Sequence, residues 1–123
     1  MTQKDKDLLL RDLCARLPYG VKVLDVDEEI GIVKSIEYPS FYVKDDNGQF
    51  DDFYLSNDIT EIKPYLRPMS SMTHSEYDEY LRIKTHGKPF EVIDWFNAHH
   101  IDYRKLIEKG LAIAVTDENN PYK

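Results

Sequence analysis

The sequence has a single cysteine and no long hydrophobic run. Cys14 cannot form a disulfide within the chain, so nothing in the sequence indicates an oxidising compartment. The apolar runs at residues 8–10 and 111–115 are far too short to cross a bilayer, and residues 1–7 lack the apolar stretch of a signal peptide. We therefore expect a cytoplasmic protein with no membrane partner.

Glycine is also scarce, and the sequence lacks glycine-rich phosphate-binding loops and other common enzyme motifs. The five glycines are scattered over turns, and the sequence contains no Walker loop, dinucleotide fingerprint, nucleophile elbow or His-Glu-x-x-His motif. His99 and His100 would point about 100° apart on a helix, so one metal ion cannot readily use both. These absences predict a protein that is not an enzyme and needs no cofactor.

Acidic residues outnumber basic residues. The chain carries 23 acidic and 16 basic residues, for a formal net charge of −7. A field of that sign repels phosphate backbones, so we do not expect a nucleic-acid partner.

What is present predicts one α+β domain spanning residues 1–123. Residues 1–18 are a helix, 19–67 a barrel-like sheet, 68–115 a helical part and 116–123 a flexible tail. The helix is indicated by apolar residues at spacings of three and four, which predict a buried stripe. The stripe comprises Leu9, Leu10, Leu13, Cys14 and Leu17.

Five short β-prone segments follow. They cover residues 21–26, 30–38, 41–44, 50–55 and 59–62, and Asn47-Gly48 is typical of a hairpin turn. So small a bent antiparallel sheet tends to close and remove its edges, which favours an SH3-like barrel. A bent open meander is the alternative.

Three short helices are predicted after Pro68. Thr73 and Glu76 form a capping box for a helix over 74–84, Pro89 opens a second over 89–99, and Asp102 caps a third that ends at Gly110. Residues 111–115 are a candidate edge strand. We expect one core in which the N-terminal leucines and the sheet meet Trp95, Phe96 and Leu106.

An acidic hairpin offers a candidate cation site. Its ligands would be Asp45, Asp46, Asp51 and Asp52. An EF-hand is excluded, because aligning Gly48 with the loop glycine would place Val43 and Tyr54 at the first and twelfth ligand positions. A solvated turn is favoured, since Asp and Asn prefer turns for local backbone reasons.

Strand alternation separates two faces of the hairpin. If Phe41 and Val43 face the core, Tyr42, Phe50 and Tyr54 form an outward aromatic surface suited to protein recognition. The favoured alternative is that the C-terminal helices cover this surface with their own aromatic side chains. Those side chains are Phe90, Trp95 and Phe96.

Three stretches resemble a family of small uncharacterised proteins from gut Bacteroidetes and their phages or integrated elements. They are residues 12–23 (DLCARLPYGVKV), 62–73 (IKPYLRPMSSMT) and 94–112 (DWFNAHHIDYRKLIEKGLA). The resemblance spans most of the chain and implies a bacterial or phage cytoplasmic protein. It brings no activity, cofactor or catalytic residue with it.

The functional expectation is a non-catalytic protein-interaction or regulatory module whose partner has a basic surface. Two alternatives stay open. One is a nucleic-acid-associated SH3-like module. The other is an acidic phage inhibitor that covers a basic surface of a host or defence protein.

Overall fold

The computed structural model describes residues 1–45 and 54–123, and it opens with a capped helix. Helix α1 spans Gln3–Arg16. The Thr2 hydroxyl accepts a hydrogen bond from the Asp5 N–H, and the Asp5 carboxylate accepts one from the Thr2 N–H. A 3-10 turn over Leu17–Tyr19 ends at Gly20, whose φ of +68° favours glycine.

The face of α1 that packs inward differs from the predicted stripe. Leu9 and Leu13 are buried as expected, but Asp12 and Arg16 are buried with them and Cys14 is exposed. The buried face is therefore rotated toward two charged residues.

The strands of the described chain are β1 (Lys22–Leu24), β2 (Ile30–Glu37), β3 (Ser40–Asp45), β4 (Tyr54–Asp58), β5 (Lys63–Leu66) and β6 (Ile113–Ala114). They form one mixed sheet in the order β4-β3-β2-β1-β5-β6. β6 runs parallel to β5, and the other neighbours are antiparallel. The α+β class is confirmed, but the sheet is open and not the predicted barrel: β4 lies at one end, and the late strand β6 adds to β5 at the other.

The predicted strand over 59–62 is wrong. Asp58 accepts a hydrogen bond from the Thr60 N–H and caps a 3-10 turn over Ile59–Glu61. β5 comes after that turn and includes Pro64, which lies opposite Val23. Proline is tolerated near a strand's start because few ladder bonds need its missing N–H.

Pairing of the third and fourth strands is confirmed. Val43 lies opposite Leu55, and Phe41 and Val43 are buried. The turn predicted at Asn47 and Gly48 lies outside the described residues.

Two α-helices lie between β5 and β6, and the predicted third is absent from the described chain. α2 spans His74–His86 and α3 spans Pro89–Ala98. The Asp102 carboxylate does accept hydrogen bonds from the Leu106 and Ile107 N–H groups, both at 2.9 Å. This carboxylate caps only a turn, however, because residues 103–110 form no helix.

The buried apolar residues form two clusters, whereas the sequence predicts one core. Leu106 packs with α1 and the sheet, as expected. Trp95 and Phe96 instead form a second cluster with Ile101, flanked by residues of α2 and α3 such as Tyr80 and Val92. The helices thus bury their aromatic side chains mainly against each other.

Candidate functional site

The residues that the sequence singles out are only partly described. Tyr42 is half-buried between Phe41 and Val43 in β3. Phe50, Asp46, Asp51 and Asp52 lie outside the described residues, as do the side chains of Asp45 and Tyr54. The predicted aromatic surface and the acidic cation site therefore both stay predictions. Of the side chains expected to cover that surface, Trp95 and Phe96 belong to the second cluster and Phe90 is 59% exposed.

A cleft of about 590 Å³ lies where residues 116–123 meet the ends of β5 and α3. We call it the C-terminal cleft. Its walls combine an ion pair, two histidines and a tyrosine from near the end of the chain. These residues are Arg67, Glu76, His99, His100 and Tyr122.

Arg67 and Glu76 form a fixed wall of the cleft. Arg67 Nη1 donates to Glu76 Oε2 at 2.8 Å, and Nη2 donates to Oε1 at 2.7 Å. Glu76 also caps α2 by accepting from the Thr73 N–H. The Arg67 hydrogen bonds lower the pKa of Glu76 to about 2, so this carboxylate stays charged near neutrality.

Tyr122 anchors the segment that the sequence predicts to be a flexible tail. Its hydroxyl accepts from the Lys22 N–H at 3.0 Å and donates to the Tyr65 carbonyl at 2.7 Å. Lys22 Nζ donates to the Pro121 carbonyl at 2.7 Å. We call the Lys22 N–H, the Tyr65 carbonyl and the His100 ring the Tyr122 seat. Burial raises the pKa of the Tyr122 hydroxyl, which therefore stays protonated and able to donate.

His100 stacks on Tyr122 at the floor of the cleft. The ring centroids are 3.8 Å apart and the planes differ by 10°. Its Nδ1 is buried without a hydrogen-bond partner among the described residues. Burial, followed by the charges of Arg16 and Arg67, lowers the pKa of His100 to about 4, so the ring is neutral near pH 7.

A buried charge network lies behind the cleft. Asp12 accepts from Arg16 Nε at 2.9 Å and from Arg104 Nη1 at 3.1 Å, while Arg16 Nη2 donates to the Ile101 carbonyl at 2.7 Å. Arg16 and Arg104 also lie over the Tyr103 ring, at 5.3 and 4.7 Å from its centroid. The network ties α1 to the segment after α3.

The α2–α3 hairpin presents apolar side chains to solvent. Within the described chain, no residue of α2 is buried. Tyr77 and Leu81 are 47% and 39% exposed on α2, and Phe90 and Ile93 are 59% and 39% exposed on α3. We call these four residues the helical-pair surface.

The inner seam of the same hairpin is well fixed. Tyr80 contacts Phe96 with ring centroids 5.3 Å apart, and the Trp95 indole N–H donates to Glu79 at 3.0 Å. The helical-pair surface is therefore carried by helices that already have packing partners.

The sequence analysis predicts neither the C-terminal cleft nor the buried charge network, and the two omissions have different reasons. Asp12 and Arg16 had a signal, since both fall between leucines on the inward face of α1. Tyr122 had none, because nothing local distinguishes a docked tyrosine from one in a loose tail.

Two further features are absent from the described residues: a cluster of metal ligands and a membrane-crossing helix. Within residues 1–45 and 54–123, no three His, Cys, Asp or Glu side chains come together as metal ligands would. The same part of the chain contains no helix with the length and apolar character needed to cross a membrane.

Comparisons with known proteins give no match to any family model, curated protein or solved structure.

Proposed function

We propose that this protein is a non-catalytic interaction module that binds a protein partner through the helical-pair surface. The observation that carries the proposal is exposed apolar area on helices whose inner seam is already packed. Tyr77 and Leu81 are four positions apart on α2, and Phe90 and Ile93 are three positions apart on α3, so each pair lies on one face of its helix. Exposed apolar side chains rimmed by polar residues are typical of protein–protein contact sites.

The chemistry of the surface favours a basic partner. Asp94 lies one helical turn after Phe90 and next to Ile93, and Asp78 follows Tyr77, with all five residues exposed. The whole chain adds a net charge of −7. Apolar side chains then supply contact area, while the acidic field speeds encounter with a positively charged surface.

The test compares the intact protein with one variant of the surface and one matched control. Phe90→Ser removes an exposed aromatic side chain from the helical-pair surface, and Tyr38→Ser removes one with the same 59% exposure from the turn after β2. Partners captured by the wild type are identified by mass spectrometry and purified. Their affinities are then measured at increasing salt.

A partner that binds the helical-pair surface should have an affinity for Phe90→Ser at least about tenfold weaker than for the wild type. Its affinity for Tyr38→Ser should equal that for the wild type. Its association rate falls as salt rises. Equal binding by both variants, or an association rate indifferent to salt, contradicts the proposal.

Nucleic-acid association is the competing class, and Arg104 argues against it. One guanidinium nitrogen of Arg104 is committed to the buried Asp12, which leaves less of its charge for phosphates. We expect no measurable affinity for labelled duplex DNA or RNA near physiological salt. Micromolar binding with a steep salt slope, lost in the Arg104→Ala/Lys105→Ala double variant, would favour the nucleic-acid alternative.

A further inference from the structure

Residues 116–123, which we call the C-terminal segment, contact the rest of the protein chiefly through their last residues. The segment begins with a turn in which Thr116 and Asn119 exchange backbone hydrogen bonds of 3.2 and 3.3 Å. Its long-range hydrogen bonds come from the Pro121 carbonyl and the Tyr122 hydroxyl. One tyrosine therefore dominates how the segment is held.

The Tyr122 hydroxyl bridges β1 and β5 beside the Val23–Pro64 pair of their register. The register pairs Val23 with Pro64, so Lys22 stands opposite Tyr65 at the next position. On the other side of β1, the Val33 N–H donates to the Val21 carbonyl, and alternation then directs the Lys22 N–H toward β5. The Lys22 N–H donates to the Tyr122 hydroxyl, and the same hydroxyl donates to the Tyr65 carbonyl.

His100, the third group of the Tyr122 seat, is a neutral ring among positively charged side chains. The cations that act on it come from three places: Arg16 on α1, Lys22 on β1 and Arg67 after β5. The neighbouring His99 ring is the other titratable group that acts on it. The C-terminal segment itself places Asp117 and Lys123 at the cleft that His100 lines. Two other carboxylates of this region are already engaged. Asp12 accepts from Arg16 and Arg104, and Glu76 is held by Arg67. A proton on His100 would place a further positive charge among these cations.

We propose that the C-terminal segment is an acid-released latch over the C-terminal cleft, held closed while His100 is neutral and released when His100 is protonated. Release breaks the His100–Tyr122 stack and both hydrogen bonds of the Tyr122 hydroxyl. It also removes one wall of the cleft, because Thr116, Asn120 and Tyr122 line it.

The pH window follows from linkage. The closed state lowers the pKa of His100 to about 4, whereas the open state returns it toward the ordinary value of 6.5. The closed-to-open ratio is therefore constant above 6.5 and falls as the pH drops toward 4. We expect a fall of about tenfold to 100-fold, less than the full shift allows because solvent screens a half-buried ring.

The Lys22 amide reports the latch in the intact protein. Its N–H bonds to Tyr122, whereas the nearby Val33 N–H bonds within the sheet. We expect its hydrogen-exchange protection factor, measured by NMR, to fall at least tenfold between neutral pH and about pH 4.5, with Val33 still protected. His100→Phe keeps a ring for the stack but cannot titrate, so Lys22 should stay protected in acid. His99→Phe is the matched control, because His99 also stacks on a ring, that of Trp95 at 4.1 Å, and it should lose Lys22 protection like the wild type.

Reciprocity supplies a second measurement that does not depend on His100→Phe folding. If protonation of His100 releases Tyr122, removing the Tyr122 ring must raise the pKa of His100. In Tyr122→Ala we expect the His100 imidazole C–H resonances to titrate close to the ordinary value. A His100 midpoint that is the same in the wild type and in Tyr122→Ala overturns the latch. So does loss of Lys22 and Val33 protection together, or an acid response in His100→Phe that matches the wild type.

Discussion

Asp12 and Arg16 show how two charged residues can form part of a core. Both have no exposed surface, and the carboxylate of Asp12 is shared by Arg16 and Arg104. Such a network stabilises the fold only while every charge keeps its partners, because an unpaired buried charge is costly.

Removing the shared carboxylate should therefore be severe. We expect Asp12→Ala to lower the free energy of unfolding by about 3–5 kcal/mol, since Arg16 would be left buried without its counter-ion. Urea denaturation measures the change. Asp7→Ala is the control, because Asp7 is exposed on the same helix and should cost less than about 1 kcal/mol. Similar losses in the two variants would show that the network adds no stability.

At the scale of elements, β2 and β3 approach unusually closely at Gly31. A Cβ atom placed there would clash with the Val43 side chain and lie 2.7 Å from the Lys44 carbonyl oxygen. Gly31 faces Asp45 in the register of the two strands. This close approach needs a residue without a side chain.

Gly31→Ala should cost about 2 kcal/mol or more, because either the strands separate or the Val43 side chain leaves its rotamer. Gly110→Ala separates this effect from backbone strain. Gly110 has φ +75° and open space around it, so alanine there should cost about 1–2 kcal/mol from conformation alone. Thermal denaturation of both variants gives the comparison. A Gly31→Ala protein with the wild-type melting midpoint would contradict the close approach.

The second cluster predicts that α2 and α3 can loosen without the sheet. Phe96→Ala removes a buried ring that contacts Tyr80 and Tyr103, and we expect a local cost of about 3–5 kcal/mol. Hydrogen exchange should show large losses of protection in α2 and α3 and small losses in β2 and β3. Phe90→Ala, at a residue 59% exposed, should change stability by less than about 0.5 kcal/mol. Equal loss of protection in both regions would indicate a single core.

The whole molecule should lose stability in acid through two separate windows. Both His100 and Glu76 have a lower pKa in the folded protein than when unfolded. Their contributions are therefore complete above the unfolded values and are lost as pH falls toward the folded values. For His100 the window is from 6.5 to about 4, and for Glu76 it is from 4.5 to about 2.

Glu76→Gln tests this assignment. The variant loses the ion pair with Arg67 at all pH values above the window, so its free energy of unfolding should start lower and fall less steeply between about pH 4.5 and pH 2. Urea denaturation across this pH range gives the slope. An unchanged slope would show that other carboxylates govern the acid transition.

The sequence by itself determined the features that local chemistry controls. Side-chain periodicity predicts the α1 helix and the β2 and β3 segments. Capping oxygens predict the Thr73–Glu76 capping box, and the fixed φ of proline predicts the start of α3 at Pro89. Each of these depends on residues no more than a few positions apart.

Only the tertiary structure decided the rest, because it depends on groups far apart in the chain. β6 adds to β5 after the helices and leaves the sheet open, whereas the local strand pattern equally suits a barrel. Asp12 and Arg16 have the spacing of an ordinary surface pair, and burial against Arg104 and Ile101 makes them structural. Tyr122 is docked because Lys22 and Tyr65, 100 and 57 positions away, present an N–H and a carbonyl where two strands stop pairing.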